Sequence, residues 1–155
     1  MKEKILNTFK SLGFELEEIE EIGHTFKYEG INYMWMSNNG DENFLSIGVP
    51  AILDKPDEEM VSFYQLIDKL NGTLKYIKAN VVGNSLWLFY ERELVGNEED
   101  LEELISRMIV QLEMAFRFFT QQSQEALEND GEEGEDDGSH VIISDIGIVD
   151  EEQNK

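Results

Sequence analysis

Few residues in this sequence could carry nucleophilic or acid–base chemistry. There is no cysteine, and the two histidines are His24 and His140. Nucleophilic catalysis needs a nucleophile, a base and a group that orients the base, and no motif around either histidine supplies them. His140 follows an acidic, glycine-rich run that cannot hold a fixed geometry, and we interpret His24 as a structural or surface residue. The sequence therefore predicts no catalytic residues and a protein that is not an enzyme.

Carboxylates are too abundant for their spacing to indicate a site. The chain has 34 Asp and Glu residues, so some of them must be adjacent by chance. No His-x-x-x-His pair suggests a transition metal. The run of residues 130–137 could collect Ca²⁺ loosely, but it lacks the alternating ligands and the distal glutamate of an EF-hand loop. We expect no bound metal and no cofactor.

Four aromatic residues at strand spacing are the remaining candidates for a ligand site. Tyr33 and Trp35 lie in one predicted strand, and Trp87 and Phe89 lie in another. They could line a groove on a sheet, although aromatics at this spacing are more often core residues. A small-molecule-sensing regulatory domain would use such a groove.

The net charge of −22 limits the classes of partner. Such a field repels nucleic-acid phosphates and anionic lipid, so we expect neither nucleic acid nor a membrane as partner. It favours a basic or amphipathic protein segment, or serves solubility alone. Residues 125–155 hold 12 of the 34 acidic residues and one of the 12 basic residues, so a fifth of the chain carries half of the net charge.

Cysteine usage and hydropathy predict a cytoplasmic protein. The absence of cysteine fits a reducing compartment. The first residues carry charges but no apolar run after them, so we do not expect a signal peptide. No stretch approaches the ~20 apolar residues that a membrane span needs.

Apolar residues recur at two periods along the chain, and these periods place the secondary structure. Helical spacing predicts helices over residues 2–12, 57–71 and 98–127. Alternation and turn residues predict strands over residues 24–28, 31–36, 44–49, 74–82 and 85–94. Residues 14–21 fit a strand or an extended loop. We expect an α+β domain with the order α-β-β-β-α-β-β-α, in which the helices pack on one face of an antiparallel sheet and Pro50 ends the third strand.

The last predicted helix has a second apolar strip. Its main stripe runs from Leu101 to Phe119 and would face the sheet. Val110, Met114 and Phe118 lie roughly 180°, 220° and 260° from Leu101 on the same helical wheel. A helix that covers one side of a sheet does not need this strip, so we expect a dimer or partner interface there. Contact with a neighbouring loop is the alternative.

Several local sequences, together with the order of elements, resemble a known family. They are Phe26-Lys27-Tyr28-Glu29-Gly30, Asp41-Glu42-Asn43-Phe44-Leu45 running into Pro50, Lys69-Leu70-Asn71 at a helix end, and Lys75-Tyr76-Ile77-Lys78-Ala79. Over about residues 2–125 the chain resembles the YbjN-like bacterial family, whose fold is shared with the class I chaperones of type III secretion. The resemblance implies this α+β fold, frequent dimers and no catalytic residues. The chaperones are small, acidic, cytosolic dimers that hold an extended segment of a client.

The composition changes near Ala126, so we assign residues 1–127 to a globular domain and residues 128–155 to an acidic, flexible tail. Such a tail cannot bury enough apolar surface to order itself. An apolar island at residues 141–149 interrupts it. The residues that could pair with a sheet edge are Val141, Ile142, Ile143 and Ile146. Docked there, the island would act as a self-inhibitory substitute for a client, whereas the simpler interpretation is a disordered tail with a chance apolar patch.

Together these observations predict a non-enzymatic, homodimeric protein-binding module with chaperone-like architecture. The alternative, from a different class, is a small-molecule-sensing regulatory domain.

Overall fold

The computed structural model describes residues 1–37, 40–58, 60–97 and 100–131, with side chains up to Glu125. These residues form a six-stranded antiparallel sheet and three helices, which confirms the predicted α+β class. The helices are α1 (Lys2–Ser11), α2 (Val61–Thr73) and α3 (Leu101–Gly131). The strands are β1 (Glu17–Ile19), β2 (Gly23–Tyr28), β3 (Ile31–Met36), β4 (Phe44–Asp54), β5 (Ile77–Val82) and β6 (Ser85–Glu93). No helix in this part of the chain is both long and apolar enough to cross a membrane.

The strands lie in the order β1-β2-β3-β4-β6-β5, and every neighbouring pair is antiparallel. β1 and β5 are therefore the two edges of the sheet. The β2–β3 hairpin turns at Glu29 and Gly30, whose φ angles are 52° and 79°. Two successive positive φ angles are typical of the type I′ turn, which matches the twist of the flanking strands.

The structure differs from the sequence prediction by more than one residue in five elements. α2 spans Val61–Thr73 instead of residues 57–71, and β5 begins at Ile77 instead of at residue 74. Residues 14–21, left open as a strand or a loop, contain the short strand β1, so four strands precede α2 instead of three. β4 does not end at Pro50 but continues to Asp54, because the register shifts between Val49 and Leu53 and this irregularity accommodates the proline. α3 runs to Gly131, four residues beyond the predicted end at Leu127.

One face of the sheet carries the core. Alternate residues of β2 to β6 point towards the helices and join a single apolar cluster with buried residues of α1, α2 and α3. The buried strand residues of this cluster include Phe26, Tyr33, Trp35, Leu45, Ile47, Leu86 and Leu88. The period of two therefore matches the helix-covered face in β2, β3, β5 and β6, and in β4 as far as Val49.

α1 is held to the sheet by aromatic contacts around Phe9. The ring of Phe9 lies 5.1 Å from that of Phe26 and 5.3 Å from that of Trp35, measured between centroids. Phe14, just after the helix, packs on Phe26 at 4.9 Å. Aromatic pairs at these separations add to the free energy of burying the rings, so this cluster fixes α1 over β2 and β3.

The opposite, open face of the sheet carries a row of five cross-strand partners. They are Thr25, Met34, Gly48, Phe89 and Lys78, one from each strand from β2 to β5. A Cβ atom at Gly48 would lie 3.1 Å from Cδ1 of Phe89 and 2.9 Å from the carbonyl oxygen of Leu88. The missing side chain therefore leaves the space that the Phe89 ring occupies, an arrangement known to stabilise glycines in sheets.

Replacing Gly48 by alanine should destabilise the fold. The added methyl group must displace either the Phe89 ring or the backbone of β6, and overpacking of this kind costs about 1–3 kcal/mol. Gly72→Ala is the matched control, because nothing lies within 4 Å of a Cβ at that position in α2. Alanine is the better helix former, so this variant should have a free energy of unfolding that is higher by about 0.5–1 kcal/mol. Urea unfolding of the two variants measures both changes. Equal stabilities for the Gly48→Ala variant and the wild type would contradict the packing described here.

Candidate protein-interaction surface

α3 presents one side to the core and the other to solvent. Its start is fixed by Asp100, whose Oδ1 accepts a 3.0 Å hydrogen bond from the backbone N–H of Glu103. The residues that face the core are buried, and they are Leu104, Ile105, Met108, Ile109, Leu112, Ala115 and Phe119. On the solvent side Val110 is 40% exposed and Met114 is 59% exposed. Phe118 is half-buried and packs against the core cluster, since its position on the wheel is nearer the buried side.

Two ion pairs flank the exposed apolar residues. Arg107 lies 3.2 Å from Glu103, and Arg117 lies 3.0 Å from Glu113, both with the spacing of one helical turn. A glutamate four residues before an arginine is the favourable order on a helix. We call Glu103, Arg107, Val110, Glu113, Met114 and Arg117 the α3 outer strip. The four charges of this strip cancel, although the chain as a whole carries −22.

The predicted aromatic groove is not assembled from its four residues. Tyr33 and Trp35 are buried on the helix-covered face, whereas Trp87 and Phe89 are on the open face. Trp87 stacks on Phe89 with ring centroids 5.6 Å apart, and Nζ of Lys78 lies 5.7 Å from the centroid of Phe89. These four aromatic residues therefore cannot line one groove.

Tyr33 carries the one buried side-chain polar atom without a hydrogen-bond partner among the described residues. Its ring is fully buried and stacks on Phe26 at 5.3 Å. Burial raises the pKa of the Tyr33 phenol well above its usual range, and the carboxylate of Glu113 adds to the effect. The hydroxyl is therefore neutral at ordinary pH and contributes no nucleophile.

A small pocket of about 120 Å³ lies where α1 meets the end of β3. It is lined by Lys2, Ile5, His24, Trp35, Met36, Ser37, Gly40, Asp41, Glu42 and Phe44. His24 is almost buried, and its ring stacks on Trp35 with centroids 4.8 Å apart. This position agrees with the structural role expected for His24, and the pocket is smaller than the ~300 Å³ of typical small-molecule sites.

The pKa of His24 is below its ordinary value of 6.5, chiefly because burial disfavours the charged imidazolium. Glu18 opposes this effect, while Lys2 and Lys10 add to it. The unfolded chain binds a proton at His24 more readily than the folded protein does. Burying the neutral imidazole of His24 therefore costs no stability above about pH 6.5. As the pH falls from 6.5 towards the lower pKa of the folded protein, the unfolded chain takes up the proton first and the free energy of unfolding decreases.

We expect His24→Phe to reduce the acid sensitivity of the fold, because the phenylalanine ring can keep the stack on Trp35 without titrating. Thermal unfolding of both proteins between pH 8 and pH 5 measures the effect. As the pH falls below 6.5, the melting temperature of the wild type should decrease more than that of the variant. A difference that stays constant over this range would contradict the lowered pKa.

The side chain of Asn71, in the last turn of α2, closes the β5 edge of the sheet at its centre. Its Nδ2 donates a 3.0 Å hydrogen bond to the carbonyl oxygen of Ala79, and its Oδ1 accepts a 2.7 Å bond from the N–H of Ala79. These are the two bonds that a further strand would make there. This role was not predicted from the sequence, because it depends on the position of α2 beside β5.

The other edge, β1, is protected differently. It is only three residues long, all three residues are exposed, and two of them are Glu17 and Glu18. Short and charged edge strands resist pairing with other chains. The predicted docking of Val141, Ile142, Ile143 and Ile146 on a sheet edge lies outside the described residues. β5 is occupied at Ala79, and β1 would repel an acidic tail.

Asn71→Ala should destabilise the protein by about 1–3 kcal/mol, because both backbone groups of the buried residue Ala79 lose their partner. The control is Asn7→Ala on the exposed side of α1, where alanine only improves helix propensity. Urea unfolding compares the two variants. If the Asn71 and Asn7 variants changed stability equally, the amide would not be a structural partner of β5.

The described residues contain no group of three or more His, Asp or Glu side chains placed to hold a metal ion. No family model matches the chain, and no curated protein matches it significantly. The helical wheel predicted the apolar members of the α3 outer strip, and the spacing of Glu103 to Arg107 and of Glu113 to Arg117 is also visible in the sequence.

Proposed function

We propose that this protein is a non-enzymatic protein-binding module that forms a homodimer through the α3 outer strip. The exposure of Met114 and Val110 in the middle of a long, well-packed helix carries this proposal. Apolar side chains exposed together at a fixed position often mark interaction sites. Methionine is well suited to such a surface, because its flexible thioether adapts to different partners.

The helix that bears the strip is a rigid support. Seven core residues on its inner side hold α3 against the sheet, so the outer strip keeps its geometry without a partner. A preformed surface loses little conformational entropy on binding. This rigidity distinguishes the strip from the other exposed apolar residues, such as Val61 and Tyr76, which lie at the start of a helix and in a loop.

The resemblance to the YbjN-like family and to secretion chaperones supports the same class of function. The order of helices and strands fits that resemblance apart from the additional strand β1. We therefore include chaperone-like binding of a protein or peptide client in the proposal, in a bacterial cytoplasm. The cysteine-free sequence supports the reducing compartment, and the acidic charge supports a basic or amphipathic client.

Met114→Asp tests the strip. The wild type should sediment with a mass that rises towards twice that of the monomer as concentration increases, whereas the variant should stay monomeric. The fold should survive, because the side chain is largely exposed, and circular dichroism checks this. Val61→Asp is the matched control, since Val61 is 71% exposed but lies on α2. It should dimerise as the wild type does.

Two results would contradict this proposal. A wild type that remains monomeric at several hundred micromolar would contradict the dimer. A Met114→Asp variant that dimerises as well as the Val61→Asp control would show that the dimer forms through a surface other than the α3 outer strip.

The small-molecule sensor has less support. The four aromatic residues lie on opposite faces of the sheet, and the pocket beside His24 is small. A metabolite that raises the melting temperature of the wild type but not of His24→Phe would favour that alternative.

A further inference from the structure

We infer that the occupant of the α3 outer strip is the same strip of a second copy, in antiparallel orientation, with the two-fold axis beside Val110. This inference rests on the proposed function and specifies the partner and its orientation. The observations that carry it are the order of charges along the strip, their cancellation, and the exposure of Val110 and Met114.

The order of charges is reversed by a two-fold rotation. Glu103 and Arg117 lie seven residues on either side of Val110, and Arg107 and Glu113 lie three residues on either side. In an antiparallel pair centred on Val110, Glu103 of one copy therefore faces Arg117 of the other, and Arg107 faces Glu113. Each contact occurs twice, as an isologous interface requires.

The parallel orientation fails on the same residues. Two α3 helices side by side in parallel and in register would place each charged residue opposite its own copy, so glutamates would face glutamates and arginines would face arginines. Like charges brought together at an interface weaken it and exclude that arrangement. The sequence of signs along the strip thus selects the orientation.

The local charge also selects a second copy over a basic client. Two of the three arginines of the chain, Arg107 and Arg117, lie in the strip. A basic segment gains little from a surface on which four charges cancel. A second acidic copy, repelled by most of the molecule, meets a neutral surface here. Salt at about 0.15 M limits the remaining long-range repulsion to distances of about 8 Å.

The centre of the interface is apolar. Val110 meets its copy at the axis, and Met114 of each chain lies one turn away, so four apolar side chains exclude water between the charged contacts. The helices overlap from Leu101 to Phe119, which is about 28 Å at 1.5 Å per residue. A contact between two helices of this length is small for a stable complex. The dimer should therefore dissociate in the micromolar range.

Reversing charges at the outer pair tests this arrangement. Glu103 and Arg117 have side chains that are 65% and 57% exposed, so Glu103→Arg and Arg117→Glu should both fold. Each variant alone places like charges opposite each other twice, and its dimer should be about tenfold weaker than that of the wild type. Mixed in equal amounts, the two variants should form a heterodimer, because every outer contact again joins opposite charges.

Two control variants match the change in charge away from the strip. Asp68→Arg on α2 and Lys4→Glu on α1 both alter exposed residues. Each control variant should change the affinity of the dimer only through its effect on the net charge of the protein. A mixture of the two control variants should show no preference for the heterodimer. Sedimentation equilibrium gives the affinities, and native mass spectrometry counts the heterodimers.

The outcomes separate this inference from the proposed function. If Met114→Asp abolishes the dimer but the charge reversals do not weaken it, or their mixture does not restore it, the antiparallel register is wrong and the strip is still the interface. If the wild type does not dimerise at all, the self-association is wrong in both forms. The antiparallel orientation is supported only if each charge reversal weakens the dimer and the mixture of the two variants restores it.

Discussion

The register that places Met34 beside Gly48, and Gly48 beside Phe89, determines which side of each strand faces the helices. A slip of one residue would move every core side chain of β4 to the open face. Gly48 helps to hold that register, because its position is the only one in the row without a side chain and the Phe89 ring lies against it. The core on the other side of the sheet depends on this alignment, and so does the position of α3 above it.

α3 links the core to the surface that we propose for binding. The same helix buries seven apolar residues inside and exposes Val110 and Met114 outside. Tyr33 lies in the same core cluster, and its hydroxyl has no partner among the described residues. The orientation of the outer strip is therefore set by packing that the strip itself does not share. A surface held in this way can change its partners through substitutions that leave the fold intact.

The long elements were predictable from the sequence because periodicity reflects burial directly. Alternation in β3 and β6 separates Tyr33 from Met34 and Leu88 from Phe89, and the structure puts them on opposite faces accordingly.

Three features were not predictable for physical reasons. β1 has only three residues, all exposed, so it leaves no pattern of burial. The continuation of β4 past Pro50 requires a local irregularity against β6. The role of Asn71 depends on how α2 packs beside β5, which no local pattern of residue types shows. Of the candidate site, Val110 and Met114 followed from the helical wheel. The groove was wrong because it joined residues of two strands whose relative faces depend on the register between β3, β4 and β6.

The bidentate contact of Asn71 with Ala79 has a consequence for the chemical ageing of the protein. Asn71 is followed by Gly72, and asparagine is among the residues that degrade with time and heat. Hydrolysis of the side-chain amide would replace the donor Nδ2 by an oxygen that cannot bond to the carbonyl of Ala79. The carbonyl oxygen of Ala79 would then lose its donor, while the N–H could still donate to the carboxylate. A single spontaneous reaction would thus remove half of the contact that shields the β5 edge from other strands.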